Sequence, residues 1–174
     1  VECDRQTGAM ADYSVTAEKY RDFLCTLFDL WYNEGRPVAS IRLFENILAL
    51  YLGREPELCA FKDRCGSYWV VEYNGDVYPC DFFVEKQWML GNIRAMSIKE
   101  LMKKRKGREF NNRKREQRSG CAACEWNVLC HFGCQHYRSS AGENYLCDAY
   151  REFFRYTGRR FQALAREVGR GCFQ

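Results

Sequence analysis

The chain has 174 residues, of which 47% are hydrophobic and 16% aromatic, and its formal net charge is +4. This composition supports a packed core and excludes an intrinsically disordered tail. No apolar run reaches the roughly 18 residues that a membrane-spanning helix needs, and residues 1–5 show neither a signal-peptide pattern nor an initiator Met. We therefore expect a cytoplasmic piece of a longer protein with no membrane partner.

The N-terminal third of the chain predicts mainly helices. Residues 16–34 are amphipathic, with Thr16 as the N-cap and Gly35 as the stop. Residues 38–43 predict a short strand, and residues 44–52 predict a short helix.

The middle of the chain predicts a β-hairpin. Residues 68–73 read as a strand, and residues 76–78 read as the returning strand. The intervening Asn74-Gly75 is typical of a two-residue turn, because both positions tolerate positive φ.

Helical signals return after the hairpin. Ser97 and Glu100 form a capping box that opens a helix toward residue 115, with an interruption near Gly107. Residues 148–168 alternate apolar and basic residues at helical spacing, with a break near residues 157–158. The prediction is an α+β fold, in which a small antiparallel hairpin carries cysteine-rich loops and helices flank it.

Nine basic residues crowd between residues 103 and 118, against only Glu109 and Glu116. Runs of this kind are typical of a solvated helix face, which is the interpretation we favour. A nucleic-acid footprint is the alternative, and the sequence also leaves open a surface for an acidic partner.

Cysteine is the most unusual feature of the composition. The eleven cysteines are Cys3, Cys25, Cys59, Cys65, Cys80, Cys121, Cys124, Cys130, Cys134, Cys147 and Cys172. The odd number, the lack of a secretory signal and the length of the chain argue against a disulfide scaffold. Because thiolates are soft ligands, they favour zinc or iron–sulfur clusters.

The spacing of the cysteines predicts two four-thiolate sites. Cys121-x2-Cys124-x5-Cys130-x3-Cys134 supplies four thiols, and Cys65 and Cys80 flank the predicted hairpin. Adding Cys59 and Cys147 gives eight thiols, which two sites require. Zinc and [4Fe–4S] centres both accept four cysteines, so the spacing leaves either metal open. A zinc site would suit a structural module that recognises protein or nucleic acid.

A family resemblance narrows this choice. Cys65-x9-Gly75-x4-Cys80, the four cysteines from Cys121 to Cys134, and then Cys147 resemble the seven-cysteine signature of the SPASM domain. That domain is the C-terminal extension of radical S-adenosylmethionine (SAM) peptide and protein maturases. Residues 77–83, Leu90-Gly91-Asn92-Ile93 and the extra Cys59 resemble the anaerobic sulfatase-maturating enzymes in particular. Those enzymes oxidise a cysteine or serine of a sulfatase to Cα-formylglycine.

The resemblance implies two auxiliary [4Fe–4S] clusters that serve electron transfer. It assigns the first cluster to Cys59, Cys65, Cys80 and Cys134. It assigns the second cluster to Cys121, Cys124, Cys130 and Cys147. An aerobically prepared chain could hold zinc instead. Asp81 follows a ligand directly, and the resemblance makes it the general base on the substrate side chain. The structural alternative is that Asp81 hydrogen-bonds the ligand loop.

The resemblance also implies what lies outside this sequence. The Cys-x3-Cys-x2-Cys loop that holds the SAM-binding cluster is absent, so SAM and a third [4Fe–4S] cluster would belong to a preceding barrel. We expect the chain alone to be catalytically silent. Residues 1–53 would be the tail of that barrel with linker helices, residues 54–150 the SPASM domain, and residues 151–174 a C-terminal helix. The implied partners are an unfolded sulfatase peptide and an electron acceptor. Another peptide maturase is the nearest alternative.

Overall fold

A computed structural model describes residues 10–115, 119–139 and 142–170 of the chain. Its helices and strands, in chain order, are α1 (Ala17–Tyr32), α2 (Arg42–Tyr51), β1 (Val70–Val71), β2 (Asp76–Tyr78), β3 (Gly91–Asn92), α3 (Ile98–Met102), α4 (Arg105–Arg113), α5 (Ser119–Ala122), α6 (Asn127–Cys130) and α7 (Cys147–Gly169). The predicted α+β class is confirmed. Among the helices of these ranges, none combines the length and apolarity that crossing a membrane requires.

Helices α1, α2 and α7 enclose the larger of two hydrophobic cores. The Thr16 side chain caps α1 as predicted, accepting a hydrogen bond from the backbone N–H of Lys19 at 3.3 Å. Phe28 lies at the centre of the core and is fully buried, with ring centroids 5.4 Å from Phe44 and 4.8 Å from Phe161. Aromatic packing therefore joins all three helices.

Polar contacts fix the register between α1 and α7. Asp29 on α1 accepts hydrogen bonds from Tyr156 Oη at 2.7 Å and from Arg160 at 2.6 Å. The Arg160 guanidinium also lies 4.8 Å from the centroid of the Phe28 ring. A cation over an aromatic face is attracted by the ring quadrupole, so this arginine supports both the polar and the apolar contact.

The three short strands form an antiparallel sheet in the order β1-β2-β3. Val77 on β2 pairs with Val71 on one side and Gly91 on the other. Val77 is fully buried with Leu90 and Leu101, which together form the second, smaller core. Strand β2 ends two residues before Cys80, so the sheet determines the position of that thiol.

The hairpin differs from its prediction in the turn. Glu72 N–H donates to the Asp76 carbonyl at 2.9 Å, which encloses a three-residue loop rather than the predicted two-residue turn. Only Gly75 takes a positive φ, of 90°. The Asn74 side chain instead accepts from the Asp76 N–H at 3.0 Å, so a local side-chain contact determines the loop type. Strand β3 was not predicted, because two residues carry no strand pattern.

The predicted strand at residues 38–43 is wrong. Residues 38–41 are irregular and α2 begins at Arg42. The Ala39 carbonyl accepts a hydrogen bond from the indole N–H of Trp31 at 2.9 Å. A tertiary contact to α1 thus takes the place of strand pairing.

The helices after the sheet follow the prediction in part. The capping box of Ser97 and Glu100 is present at the start of α3. The helix is interrupted at residues 103–104 rather than near Gly107. Helix α7 is continuous through Gly158, contrary to the predicted break, and crosses the predicted domain boundary at residues 150–151. Gly158 packs beside the Tyr51 hydroxyl, and this burial outweighs its low helix propensity.

We expect Phe28→Ala to lower the free energy of unfolding by about 3–5 kcal/mol, because it opens a cavity at the centre of the larger core. Chemical denaturation followed by circular dichroism measures this change. Phe23→Ala on the same helix is the matched control, since Phe23 is 57% exposed, and we expect it to change stability by less than about 1 kcal/mol. Equal losses for the two variants would contradict this account of the core.

Candidate metal centres

Two pockets contain the eight cysteines that the sequence predicts as ligands. The first pocket is narrow, about 20 Å³, and its cysteines are Cys59, Cys65, Cys80 and Cys134. Cys59 begins a 3₁₀ turn, Cys80 follows β2, and Cys134 ends the loop after α6. Aromatic side chains form much of the remaining wall, including Phe83 and Phe110.

The second pocket is wider, about 750 Å³, and its cysteines are Cys121, Cys124, Cys130 and Cys147. Helices present three of them: Cys121 lies in the short α5, Cys130 ends the short α6, and Cys147 begins the long α7. The two pockets therefore divide the eight cysteines into the same sets that the family resemblance implies, and Cys130 and Cys134 also line a small third cavity. Within the described ranges, no three His, Cys, Asp or Glu side chains are placed to hold a single metal ion.

The remaining cysteines and the histidines lie elsewhere. Cys25 is on α1, outside both pockets, whereas Cys3 and Cys172 lie outside the described residues. His131 contacts the Phe61 carbonyl oxygen, and the His136 ring stacks on Phe82 with centroids 4.2 Å apart. Neither histidine lines either pocket.

One loop supplies a cysteine to each pocket. Between Cys130 and Cys134, three successive residues have positive φ: His131 (47°), Phe132 (66°) and Gly133 (64°). Left-handed backbone is unfavourable for residues with a Cβ, and here it reverses the chain so that Cys130 lines the second pocket and Cys134 the first. At Gly133 an added Cβ would overlap the Asn144 amide.

Burial keeps several of these thiols protonated. It raises the pKa of the Cys80 and Cys130 thiols to about 12. Burial also raises the pKa of Cys59, Cys134 and Cys147. At neutral pH these groups are thiols in the metal-free chain, so metal ligation would release their protons.

Buried N–H donors line both pockets. Gln135 Nε2 donates to Cys65 Sγ at 3.1 Å in the first. In the second, Trp126 Nε1 and Asn144 Nδ2 are buried and have no hydrogen-bond partner among the described residues. Unpaired buried donors are uncommon and call for an acceptor. Sulfur-rich anionic clusters accept such hydrogen bonds, so the donors and the eight thiols fit iron–sulfur groups.

A buried cation lies beside the first pocket. Lys114 is 0% exposed, and its ammonium donates to the backbone carbonyls of Cys59 at 2.7 Å, Ala60 at 2.9 Å and Lys62. Desolvation lowers the pKa of this ammonium. The interpretation of the basic run as a solvated face is therefore wrong at Lys114. Nothing in the pattern distinguishes this lysine from its exposed neighbours, because tertiary packing buries it.

Asp81 is exposed beside the first pocket. Its Oδ1 accepts a hydrogen bond from Tyr68 Oη at 2.6 Å and one from Cys80 Sγ at 3.4 Å. The Tyr68 hydrogen bond, more than any other contact, lowers the pKa of the Asp81 carboxyl group. The carboxylate is thus ionised at neutral pH and held in one orientation. The sequence identified Asp81 but not Tyr68, which reads only as a strand residue.

Comparison with known proteins relates these pockets to a family. Residues 59–125 match the family model of SPASM, an iron–sulfur cluster-binding domain. This segment, which is less than half of the chain, is thus similar to a SPASM domain. Its cysteine pockets extend past the matched segment, because Cys130, Cys134 and Cys147 follow residue 125.

Relatives of the whole chain are anaerobic sulfatase-maturating enzymes. The cysteine-type enzyme of Clostridium perfringens (strain 13 / Type A) is 38% identical over 165 residues, which are 90% of this chain and 44% of that protein. The serine-type enzyme of Bacteroides thetaiotaomicron is 34% identical over 168 residues, 92% of this chain and 41% of that protein. The chain thus spans less than half the length of these relatives.

A solved structure shares the fold. It is described as native anSMEcpe with bound AdoMet and Cp18Cys peptide, and it superposes with a TM-score of 0.83 at 37% sequence identity. The match covers 97% of this chain and 47% of that one. The helices that flank the cysteine pockets are therefore part of the shared fold.

The left-handed loop between Cys130 and Cys134 depends on Gly133. We expect Gly133→Ala to lower stability by about 1–3 kcal/mol, since alanine is strained at this φ, and to reduce bound iron because the new Cβ displaces Asn144 from the second pocket. Thermal denaturation and iron analysis of anaerobically purified chain measure both effects. Gly169→Ala is the control, because nothing lies within 4 Å of its added Cβ. A Gly133→Ala chain with full iron content and unchanged stability would refute the assigned role of the loop.

Proposed function

We propose that this chain is the auxiliary-cluster part of an enzyme that oxidises a cysteine or serine of a sulfatase to Cα-formylglycine. The observation that carries the proposal is the separation of eight cysteines into two pockets of four. Similarity to sulfatase-maturating enzymes over about nine-tenths of the chain supports the same function. The peptide bound in the solved structure and the sulfatase-maturating relatives support an unfolded sulfatase peptide as the partner.

Each pocket would hold one [4Fe–4S] cluster through four thiolates. The first set is Cys59, Cys65, Cys80 and Cys134, and the second is Cys121, Cys124, Cys130 and Cys147. When bound, the clusters supply one-electron transfer. Because metal binding in such sites is coupled to folding, we expect cluster binding to stabilise the loops that carry these cysteines.

Asp81 would take the proton that the substrate side chain loses on oxidation. Its carboxylate is exposed and ionised, and it follows the ligand Cys80, so a substrate beside the first pocket is within its reach. The Tyr68 hydroxyl orients the carboxylate through Oδ1, which leaves Oδ2 to accept the proton. The contact from Cys80 exists only while that residue is a protonated thiol.

The remaining chemistry would come from outside this sequence. SAM and a third cluster would belong to a radical SAM domain, and an electron acceptor would complete the oxidation. A SPASM domain of another peptide maturase would have the same two pockets, and the product assay on Asp81 described below separates the two possibilities. A zinc module is the third possibility, and metal analysis separates it from both.

We expect anaerobically purified and reconstituted chain to contain about eight irons and eight sulfides, as two [4Fe–4S] centres require. Cys65→Ala and Cys124→Ala should each lose about half of this iron, because each removes a ligand from a different pocket. Cys25→Ala is the matched control and should keep all of it, since Cys25 lies outside both pockets. About two zinc ions without sulfide would instead establish the zinc module.

We expect Asp81→Asn to lower the rate of formylglycine formation by about 10²–10⁴-fold, the usual contribution of a general base. The assay uses mass spectrometry of a sulfatase peptide, with the chain placed behind a radical SAM domain. Tyr68→Phe should lose less, because it removes only the orienting hydrogen bond. Iron analysis of both variants controls for damage at Cys80. A wild-type rate in the Asp81→Asn protein would exclude the proposed base.

A further inference from the structure

Lys114 carries a buried charge without an acidic partner in the described part of the chain. The acidic side chains along the loop that it contacts are already engaged. Asp63 pairs with Arg115, Glu57 with Arg42 at 3.6 Å, and Glu55 with Lys62 at 3.1 Å. Burying a charge without a counter-charge is costly. We therefore expect a negatively charged group, other than an acidic side chain, to pair with the Lys114 ammonium.

The hydrogen bonds require the charged form of Lys114. Its nitrogen donates to three carbonyl oxygens, and an ammonium has three N–H donors whereas a neutral amine has two. The backbone holds this group firmly, since Arg138 donates to the Lys114 carbonyl at 2.8 Å. Hydrogen bonds thus hold both the ammonium and the backbone carbonyl of Lys114, and together they fix the position of the positive charge.

The groups that could balance this charge are the thiols of both pockets. The ammonium donates to the backbone carbonyl of Cys59, whose thiol lines the first pocket. It also donates to the carbonyl of Ala60, and Ala60 lines a small cavity together with Cys134 of the first pocket and Cys130 of the second. A cluster held by such thiolates is an anionic centre, and reduction makes it more negative.

We infer that Lys114 is the shared counter-charge of the two clusters and makes both easier to reduce, the first more than the second. The inference rests on the proposed function, because it needs clusters in both pockets. Reduction adds one electron to a cluster, taken from a low-potential chemical reductant in the experiment below, and no bond forms or breaks. A nearby positive charge stabilises the reduced form, since the attraction grows with the negative charge of the cluster.

The test is a redox titration of the reconstituted chain followed by electron paramagnetic resonance. Lys114→Gln keeps hydrogen-bond donors and removes the charge, whereas Lys114→Arg keeps the charge. The matched control is Lys103→Gln, an exposed lysine of the same basic run. A Cys124→Ala background, which lacks the second cluster, assigns the signal of the first.

We expect Lys114→Gln to lower the equilibrium constant for reduction of the first cluster at least tenfold, which is 59 mV for one electron. The second cluster should shift in the same direction by less, and Lys114→Arg and Lys103→Gln should shift neither by that amount. If Lys114→Gln fails to bind iron while Lys114→Arg binds it fully, the charge is again what matters and the inference stands.

Two outcomes would overturn the inference. One is a Lys114→Gln chain with full iron content and wild-type potentials, and the other is loss of iron in both variants, which would show a role in packing alone. Wild-type chain that forms no clusters would instead overturn the proposed function. The two failures are therefore distinguishable in one set of measurements.

Discussion

The loop from Cys130 to Cys134 is the constraint on which both pockets depend. The three residues between the helical Cys130 and the extended Cys134 have left-handed backbone. This reversal lets Cys130 line the second pocket and Cys134 the first, although both also border one small cavity. A regular helix would place cysteines four residues apart on one face and therefore in one pocket. The strain of two non-glycine residues at positive φ is thus the local condition for two separate sites on one short segment.

The helical core packs against the cysteine loops and stabilises them. Helix α7 begins at Cys147, and further along it Tyr150 makes an edge contact with Phe61, with ring centroids 6.1 Å apart. Phe61 ends the turn that starts at Cys59, so one helix stabilises a ligand of each pocket. The larger core therefore supports the cysteine loops, and the predicted ligand Cys130 packs against it.

Local sequence information was sufficient for the Ser97 capping box and the Thr16 cap, which a few neighbouring residues define. The spacing of the cysteines gave only their number, and the grouping into two sets of four came from the family resemblance. Sequence reasoning failed where burial decides the outcome. Lys114 lies within a basic run, but α4 ends against the loop at residues 59–62 and buries its ammonium. The continuity of α7 at Gly158 likewise depends on packing against α2, which no window of sequence contains.

The protonation of the thiols, the buried charge of Lys114 and the binding of clusters depend on one another. In the metal-free chain the cysteines with raised pKa are neutral thiols, while Lys114 remains a buried cation that only carbonyl dipoles solvate. In the metal-free chain, the part of the polypeptide that the structure describes therefore provides no negative charge to balance the buried ammonium of Lys114. Ligation would replace thiol protons with anionic clusters and give the ammonium its counter-charge. Since the same event supplies acceptors for the unpaired N–H groups of Trp126 and Asn144, cluster binding and the final packing of this region would proceed together.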